Sequence, residues 1–425
     1  MKYDKAIEYI EECNKAGIVP GLDSIKELCA RLGNPQDSLK FIHIAGTNGK
    51  GSTLAYISTI LKTAGYKVGR YVSPTIRTYL ERFQIGGRAM SQASFGSVLE
   101  TVKEACESMV RDGLPHPTAF EVETAVAFLY FLEKKCDIVV IECGMGGLED
   151  ATNIIKTTVM EVFAHIDMDH MQYLGDNITK IAYNKAGIIK PGSKVVAGLQ
   201  CKEVKDVLTS VSADNNCELT VLDATDITKI RYGINGQSFS LKQVKYKTPL
   251  LGVCQVDNAA LAVLAVKTFD PSISDEIINK GLSETVWPAR LQVLNKKPLL
   301  VIDGAHNVDA ALRLKESVDI YFKDKRKIFI MGMFRDKAVE EVVDIMCPLA
   351  DMVLTIATPG NPRALSSVEL ATIVRDTNQN VTSLDSVEEA LEMAKMFADD
   401  NTLILAFGSL SYLGRILDIE ERHGR

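Results

Sequence analysis

No stretch of this 425-residue chain is apolar for long enough to cross a bilayer. The longest strongly apolar run, Ala125 to Leu132, has eight residues, against the roughly 20 that a membrane helix needs. The opening residues, Met1-Lys2-Tyr3-Asp4-Lys5, lead into no apolar core of the signal-peptide kind, so a cytoplasmic protein with no membrane partner is expected. No C-x-x-C pair occurs among the nine cysteines, and their number is odd. The spacing of a structural zinc site is therefore missing, and reduced, mostly buried thiols are expected, Cys136 and Cys143 among them. Positive charge is not in excess: 48 basic residues stand against 55 acidic ones, a net charge of −7. Such a surface does not favour nucleic acid, and an anionic ligand needs a local cluster of positive groups instead. An apolar fraction of 46% with 24% charged residues is ordinary for a folded chain and excludes disorder, collagen and simple coiled coil. No low-complexity segment is present, and the two halves are not repeats of one another.

What is there is a βα rhythm. Helical apolar spacing covers 4–16 and 23–32, closed by Gly33-Asn34-Pro35. Lys40 to Ala45 reads as a buried strand, residues 46–51 as a glycine-rich turn, the following residues to Gly65 as a helix and Lys67 to Val72 as the next strand. That order is a βαβ unit and implies a parallel sheet. Helices are expected at 91–111 and 118–134, then strands at 137–142, 159–166 and 194–199. A small antiparallel sheet is expected over 218–246, with Asn235-Gly236 as its hairpin turn. Helices at 255–268 and 273–281 follow. Trp287-Pro288-Ala289-Arg290 breaks the pattern, after which strands are expected at 298–303, 327–332, 352–357, 379–384 and 402–407. The expectation is an α/β protein with a P-loop parallel-sheet ATPase domain at 1–286 carrying the antiparallel subdomain. A linker at 287–297 and a smaller Rossmann-like α/β domain at 298–425 complete it.

The strongest local signal is Ala45-Gly46-Thr47-Asn48-Gly49-Lys50-Gly51-Ser52-Thr53, between a strand and a helix. Glycines let backbone N–H groups turn toward phosphate oxygens, and the helix N-terminus adds positive potential. Lys50 supplies a point charge, and Ser52 or Thr53 a hydroxyl for Mg²⁺. The standard G-x-x-x-x-G-K-[ST] pattern is altered: Ile44 stands where it wants glycine, and Gly51 separates Lys50 from Ser52. The plain alternative is a glycine-rich βα turn with a surface lysine. Glu142 ends another predicted buried strand, where a carboxylate suits Mg²⁺ held with a P-loop hydroxyl. The alternative there is a capping or ion-paired acid.

Gly46-Thr47-Asn48-Gly49-Lys50-Gly51-Ser52 resembles the ATP-dependent ligase family that includes folylpolyglutamate synthase, dihydrofolate synthase and the Mur peptidoglycan ligases, with the extra glycine typical of the folate branch. Other segments agree in order and spacing: Leu32-Gly33-Asn34-Pro35-Gln36, Ser73-Pro74, Glu121 to Phe128, Glu142 to Asn153, Asp169-His170, Lys185-Ala186-Gly187-Ile188, Asn258-Ala259-Ala260, Asp303-Gly304-Ala305-His306-Asn307 and Phe407-Gly408-Ser409-Leu410. The resemblance runs from about residue 20 to Leu410.

The resemblance implies a folylpolyglutamate synthase, in one reading also a dihydrofolate synthase. Such an enzyme joins L-glutamate to a reduced folate or to dihydropteroate through an acyl phosphate made from ATP. It implies Mg²⁺ at Ser52, Ser73 and Glu142, a second metal position at His170, and Lys185 as a carbamylated lysine beside it. It places Arg290 and His306 toward the ATP phosphates, Asp303 toward the ribose and Asn258 toward adenine. Lys50, Glu142, His170 and Lys185 would be the catalytic set. Two departures stand out: Thr75 where many relatives carry histidine, and Leu148 where many carry arginine. Arg77 and Arg82 are offered as compensating contacts to substrate carboxylates. Asn184-Lys185 is not a guanine-reading N-K-x-D, because position 187 is Gly. A monomer is expected. Two other readings stay open. One is a Mur-type peptidoglycan ligase, for which the chain before Gly46 is short. The other is a nucleotide-gated P-loop binding module, which would bind ATP without forming an amide.

Overall fold

The computed structural model describes residues 1–15, 17 and 19–423. Residue 16, at the end of the first expected helix, and residues 424–425, at the end of the expected second domain, lie outside them.

The first sheet has eight strands. Six run parallel, in spatial order Val68–Tyr71, Ile138–Glu142, Phe41–Ala45, Thr158–Phe163, Lys194–Ala197 and Glu218–Val221. Two short antiparallel strands, Phe83–Ile85 and Arg88–Ala89, finish the other edge. Phe41–Ala45 and Ile138–Glu142 are buried at every position, as continuous apolar runs covered on both faces should be. One face is covered by the helices Tyr3–Asn14, Asp23–Arg31, Gln92–Arg111 and Ala119–Glu133. The last of these starts on a capping box, in which Thr118 N donates to Glu121 Oε2 at 2.7 Å. The other face is covered by Lys50–Thr63, Val253–Phe269 and Asp275–Ser283.

The small antiparallel sheet holds Ile227–Arg231, Gln237–Leu241 and Val244–Thr248. It differs from expectation in two ways. Glu218–Val221 joins the edge of the parallel sheet instead, pairing with Lys194–Ala197. The tight two-residue turn is Lys242-Gln243, both at positive φ (46° and 72°), whereas Asn235-Gly236 lies in a longer connection. Two adjacent positive φ values match the twist of a hairpin, and here they occur without glycine.

The second sheet has six strands in the order Gln292–Lys296, Leu299–Ile302, Thr402–Phe407, Arg326–Met331, Met352–Thr355 and Val381–Ser383. All pairs are parallel except the first, so 292–296, expected within the linker, is an antiparallel edge strand. All nine cysteines are free, and six of them are buried. Among the described residues no helix is long and apolar enough to cross a membrane.

Candidate active site

Strand register brings the expected groups together. Ile44 pairs with Glu142 and Ala45 with Phe163, so the loops after these three strands open along one sheet edge. Ligands collect at such carboxyl ends. The second sheet faces that edge, and between them lies a cleft of about 1050 Å³. Gly46, Thr47, Asn48, Gly49, Lys50, Gly51, Ser52, Ser73, Arg82, Glu142, His170, Lys185, Asn258, Arg290, Asp303 and His306 all line it. Thr53 and Arg77 do not. Thr53 is fully buried beneath the turn. Arg77 instead grips the C-terminal helix, with Nη2 2.8 Å from Asp418 Oδ1 and Nη1 2.7 Å from Glu421 Oε1. Its expected contact with substrate carboxylates is corrected accordingly: its charge is already matched. Arg82 reaches the cleft but is paired with buried Glu123 at 3.2 Å.

The turn needs its glycines. Gly49 has φ 85°, and a Cβ there would collide with the Asn258 side chain. Asn258 is thereby held against the phosphate-binding turn. Lys50 Nζ donates to Thr47 O at 3.2 Å and stands 3.8 Å from Glu142 Oε1. Burial pushes the Glu142 carboxyl up to about 7, against the opposing pull of Lys50 and Arg290. Ser52, 1% exposed, accepts from Gln255 Nε2 at 3.2 Å. The loop beyond Glu142 is tied by Asp150, which accepts from Met145 N at 2.8 Å and Thr152 N at 3.0 Å.

Lys185 is buried, and no acid among the described residues lies within ion-pair distance of it; its Nζ donates to Gly46 O at 3.0 Å. Burial first, and then the nearby Lys50 charge, push its pKa down to about 7. His170 adopts φ 51° and places Nε2 3.8 Å from Asp169 Oδ2. Asp169 meets the second domain: Lys337 Nζ lies 3.0 Å from Oδ1, and Asn307 Nδ2 donates to Oδ2 at 3.2 Å. Although burial works to raise it, Lys337 and His170 hold Asp169 well below the usual carboxylate range.

From the other side, Asp303 accepts from Leu291 N at 2.7 Å and Ala305 N at 2.8 Å, fixing the chain where it enters the second domain. His306 Nδ1 lies 2.8 Å from Gly304 O. A carbonyl only accepts, so the ring proton sits on Nδ1 and Nε2 is left as an acceptor. Desolvation, then Lys337, pushes this histidine down to about 4. A neutral acceptor suits a hydroxyl or amino group better than the phosphate the resemblance implied. Arg290 is one cation on this side, with Nη1 2.9 Å from Ala289 O.

Sequence reasoning missed Lys337, Gln255 and Trp287, all in the cleft lining. Lys337 had a signal: it lies in the turn after the strand Arg326–Met331, at the carboxyl end of the second sheet.

A P-loop sheet facing a second α/β unit across a cleft that carries Lys50, Glu142, Lys185 and Arg290 defines a two-domain Mur-type ligase. Residues 44–266 match the Mur ligase middle domain and 289–410 the Mur ligase glutamate ligase domain. The chain is 32% identical over 425 residues to the dihydrofolate synthase/folylpolyglutamate synthase of Bacillus subtilis, covering 97% of this chain and 98% of that one. Among solved structures, folylpolyglutamate synthase of Mycobacterium tuberculosis complexed with ADP superposes with a TM-score of 0.91 at 28% identity, over 98% of this chain and 99% of the other. Escherichia coli FolC in complex with DHPP and ADP superposes with a TM-score of 0.87 at 26% identity, over 100% and 99%. The chain belongs to the folylpolyglutamate synthase/dihydrofolate synthase family of the Mur ligase superfamily.

Proposed function

We propose that this chain is an ATP-dependent ligase that forms an amide between L-glutamate and a folate carboxylate, acting on a reduced folate, on dihydropteroate, or on both. The observation that carries the reading is the pairing of Lys50, which opens the helix after Phe41–Ala45, with Glu142, which ends the adjacent strand, 3.8 Å apart, inside a cleft that the second sheet closes. In water the condensation is uphill. Transfer of the γ-phosphoryl of ATP to the carboxylate makes an acyl phosphate and releases ADP. The glutamate amine then attacks the carbonyl carbon, phosphate leaves and the nitrogen loses a proton. Lys50 is placed to stabilise charge on the transferring phosphoryl group. Closure by Asn48, Asn307, Asp169 and Lys337 keeps water from the acyl phosphate. The neutral His306 acceptor and Asn258 suit the sugar and base, and Arg290 suits the phosphates.

Mg²⁺ fits the donor set at Ser52, Ser73 and Glu142, which offers a carboxylate and hydroxyls, the hard oxygen ligands this ion prefers. When bound it supplies charge stabilisation to phosphate oxygens. His170, in the cleft wall beside Asp169, would hold a second metal position. Lys185 fits carbamylation, since burial favours its neutral amine, whose lone pair can add to CO₂ with loss of a proton. Retention of a ¹³C label from bicarbonate by the wild type, and not by Lys185→Ala, checks that assignment.

The test of the activity supplies ATP, Mg²⁺ and glutamate with tetrahydrofolate or dihydropteroate in parallel. The expected result is ADP release that requires both glutamate and one pterin, with a product heavier by one glutamate residue. ADP release independent of glutamate, or no glutamylated product from either pterin, would overturn the reading.

A further inference from the structure

A second polar cluster joins the two halves of the chain on the flank of the phosphate-binding turn away from Glu142. His165 and Asp167 follow the strand Thr158–Phe163, and Asp309 sits in the first turn of the helix Val308–Phe322. His165 Nε2 lies 3.7 Å from Asp167 Oδ2 and 3.6 Å from Asp309 Oδ1, and one ligand atom from each of the three residues lies within 4.8 Å of the others.

Each group has its other polar atom engaged. His165 Nδ1 donates to the Leu199 carbonyl at 3.2 Å, which turns Nε2 toward the two carboxylates. Asp167 Oδ1 accepts from Met168 N at 2.7 Å. Asp309 Oδ2 accepts from Asn48 Nδ2 at 2.7 Å. One atom of each residue is left facing a common point. These separations exceed the roughly 2.7–2.9 Å of a direct charge-assisted hydrogen bond. They instead approach the roughly 3.4 Å that separates two ligands each about 2.1 Å from a tetrahedral ion. Arg313 Nε, 4.0 Å from Asp309 Oδ1, is the other cation on this side. Asp257 also faces His165 and Arg313, which leaves the cluster rich in acid.

We propose that His165, Asp167 and Asp309 form a binding site for a divalent transition-metal ion of the zinc class, complete only when the two halves of the chain meet. An imidazole with two carboxylates suits zinc and its neighbours and disfavours Mg²⁺. A ring N–H given to a main-chain carbonyl is the usual orienting contact of a ligating histidine. Because Asp309 comes from the second half, metal binding favours the closed arrangement by mass action. The site is distinct from the proposed Mg²⁺ position and does not depend on the ligase reading.

The test uses the full chain, stripped with chelator and titrated calorimetrically with Zn²⁺ alone, then with Co²⁺ followed by its visible absorption. The expected result is one Zn²⁺ per chain, not displaced by excess Mg²⁺, with four-coordinate Co²⁺ bands. His165→Ala and Asp309→Asn should each weaken Zn²⁺ binding about tenfold or more and remove the Co²⁺ bands. Asp167→Asn, at a more exposed ligand, guards against misfolding of the other two, and urea melts verify that each variant is folded. Absence of stoichiometric Zn²⁺ binding to the wild type, or unchanged affinity in folded variants, would overturn the proposal.

Discussion

The sole tryptophan of the chain lies on the phosphate-binding turn, which makes that turn open to a direct perturbation. Gly51 stands in the first turn of the helix Lys50–Thr63, and a Cβ there would lie 2.9 Å from Trp287 Cζ2 and 3.1 Å from its Nε1. Two effects oppose each other in Gly51→Ala. Overpacking costs about 1–3 kcal/mol, while replacing glycine by alanine in a helix gains about 1 kcal/mol. The net is about 0–2 kcal/mol of destabilisation. Trp287 is the element that yields, because it is only partly buried and, among the described residues, none hydrogen-bonds its Nε1. If all the strain is felt at the nucleotide site, 2 kcal/mol corresponds to about 30-fold in affinity. Gly51→Ala should therefore red-shift the Trp287 emission and weaken ATP binding measured by that same fluorescence, by up to this factor. An unchanged emission spectrum together with unchanged ATP affinity would refute the packing argument.

Three further outcomes follow from the site. Lys50→Ala should lower kcat by about 100-fold or more while circular dichroism stays that of the wild type; full activity would displace Lys50 from the phosphoryl site. Lys337→Ala leaves Asp169, only 15% exposed, without its 3.0 Å partner, costing the closed arrangement about 1–3 kcal/mol. A raised KM for ATP, partly restored by Lys337→Arg, is the measurement. Burial pushes Glu161 up to about 8 despite hydrogen bonds from Ser193 Oγ and Lys190 N. Its folded pKa thus exceeds the unfolded value, so its stabilising contribution is complete below about pH 4.3 and is lost at about 1.4 kcal/mol per unit up to pH 8. Relative to wild type, Glu161→Gln should gain up to about 3 kcal/mol between pH 5.5 and 8 in urea melts; parallel pH curves would contradict the burial argument.

Much of the framework was readable because its signals are local. Ile138 to Ile141 and Thr402 to Phe407 are short apolar runs set between turns, and Gly46 to Gly51 announces a strand-to-helix turn. What escaped depends on partners distant in the chain. Gln292–Lys296 has no fully buried position, so no apolar pattern marks it as a strand; pairing with Leu299–Ile302 makes it one. Glu218–Val221 looks like its antiparallel neighbours, and only the exposed edge left by Lys194–Ala197 decides which sheet takes it. Arg77, offered as a contact to substrate carboxylates, has its acid partner Asp418 341 residues away. Lys337 escaped because Asp169 is 168 residues upstream. Charge alone does not say which cations are already matched.

The hydrogen bonds of the turn say which of its amides remain for a phosphate. Thr47 N and Asn48 N both donate to His165 O, at 2.7 and 3.1 Å, so the first part of the turn is pinned to the neighbouring strand. Lys50 Nζ and Lys185 Nζ donate only to main-chain carbonyls, at 3.2 and 3.0 Å. A phosphate oxygen is a stronger acceptor than a neutral carbonyl, so both can be recruited without moving the backbone. The helix opening at Lys50 has no side-chain cap, and its first amides lack intrahelical partners. The anion should therefore sit over Lys50, Gly51 and Ser52 rather than over Thr47 and Asn48. Hydrogen exchange tests this. Nucleotide should slow exchange at the amides of 50–52 and leave those of 47 and 48 as slow as they were in the free protein. Strong new protection at 47 and 48 would mean that the turn breaks its bonds to His165 on binding, and that the resting turn is not the binding form.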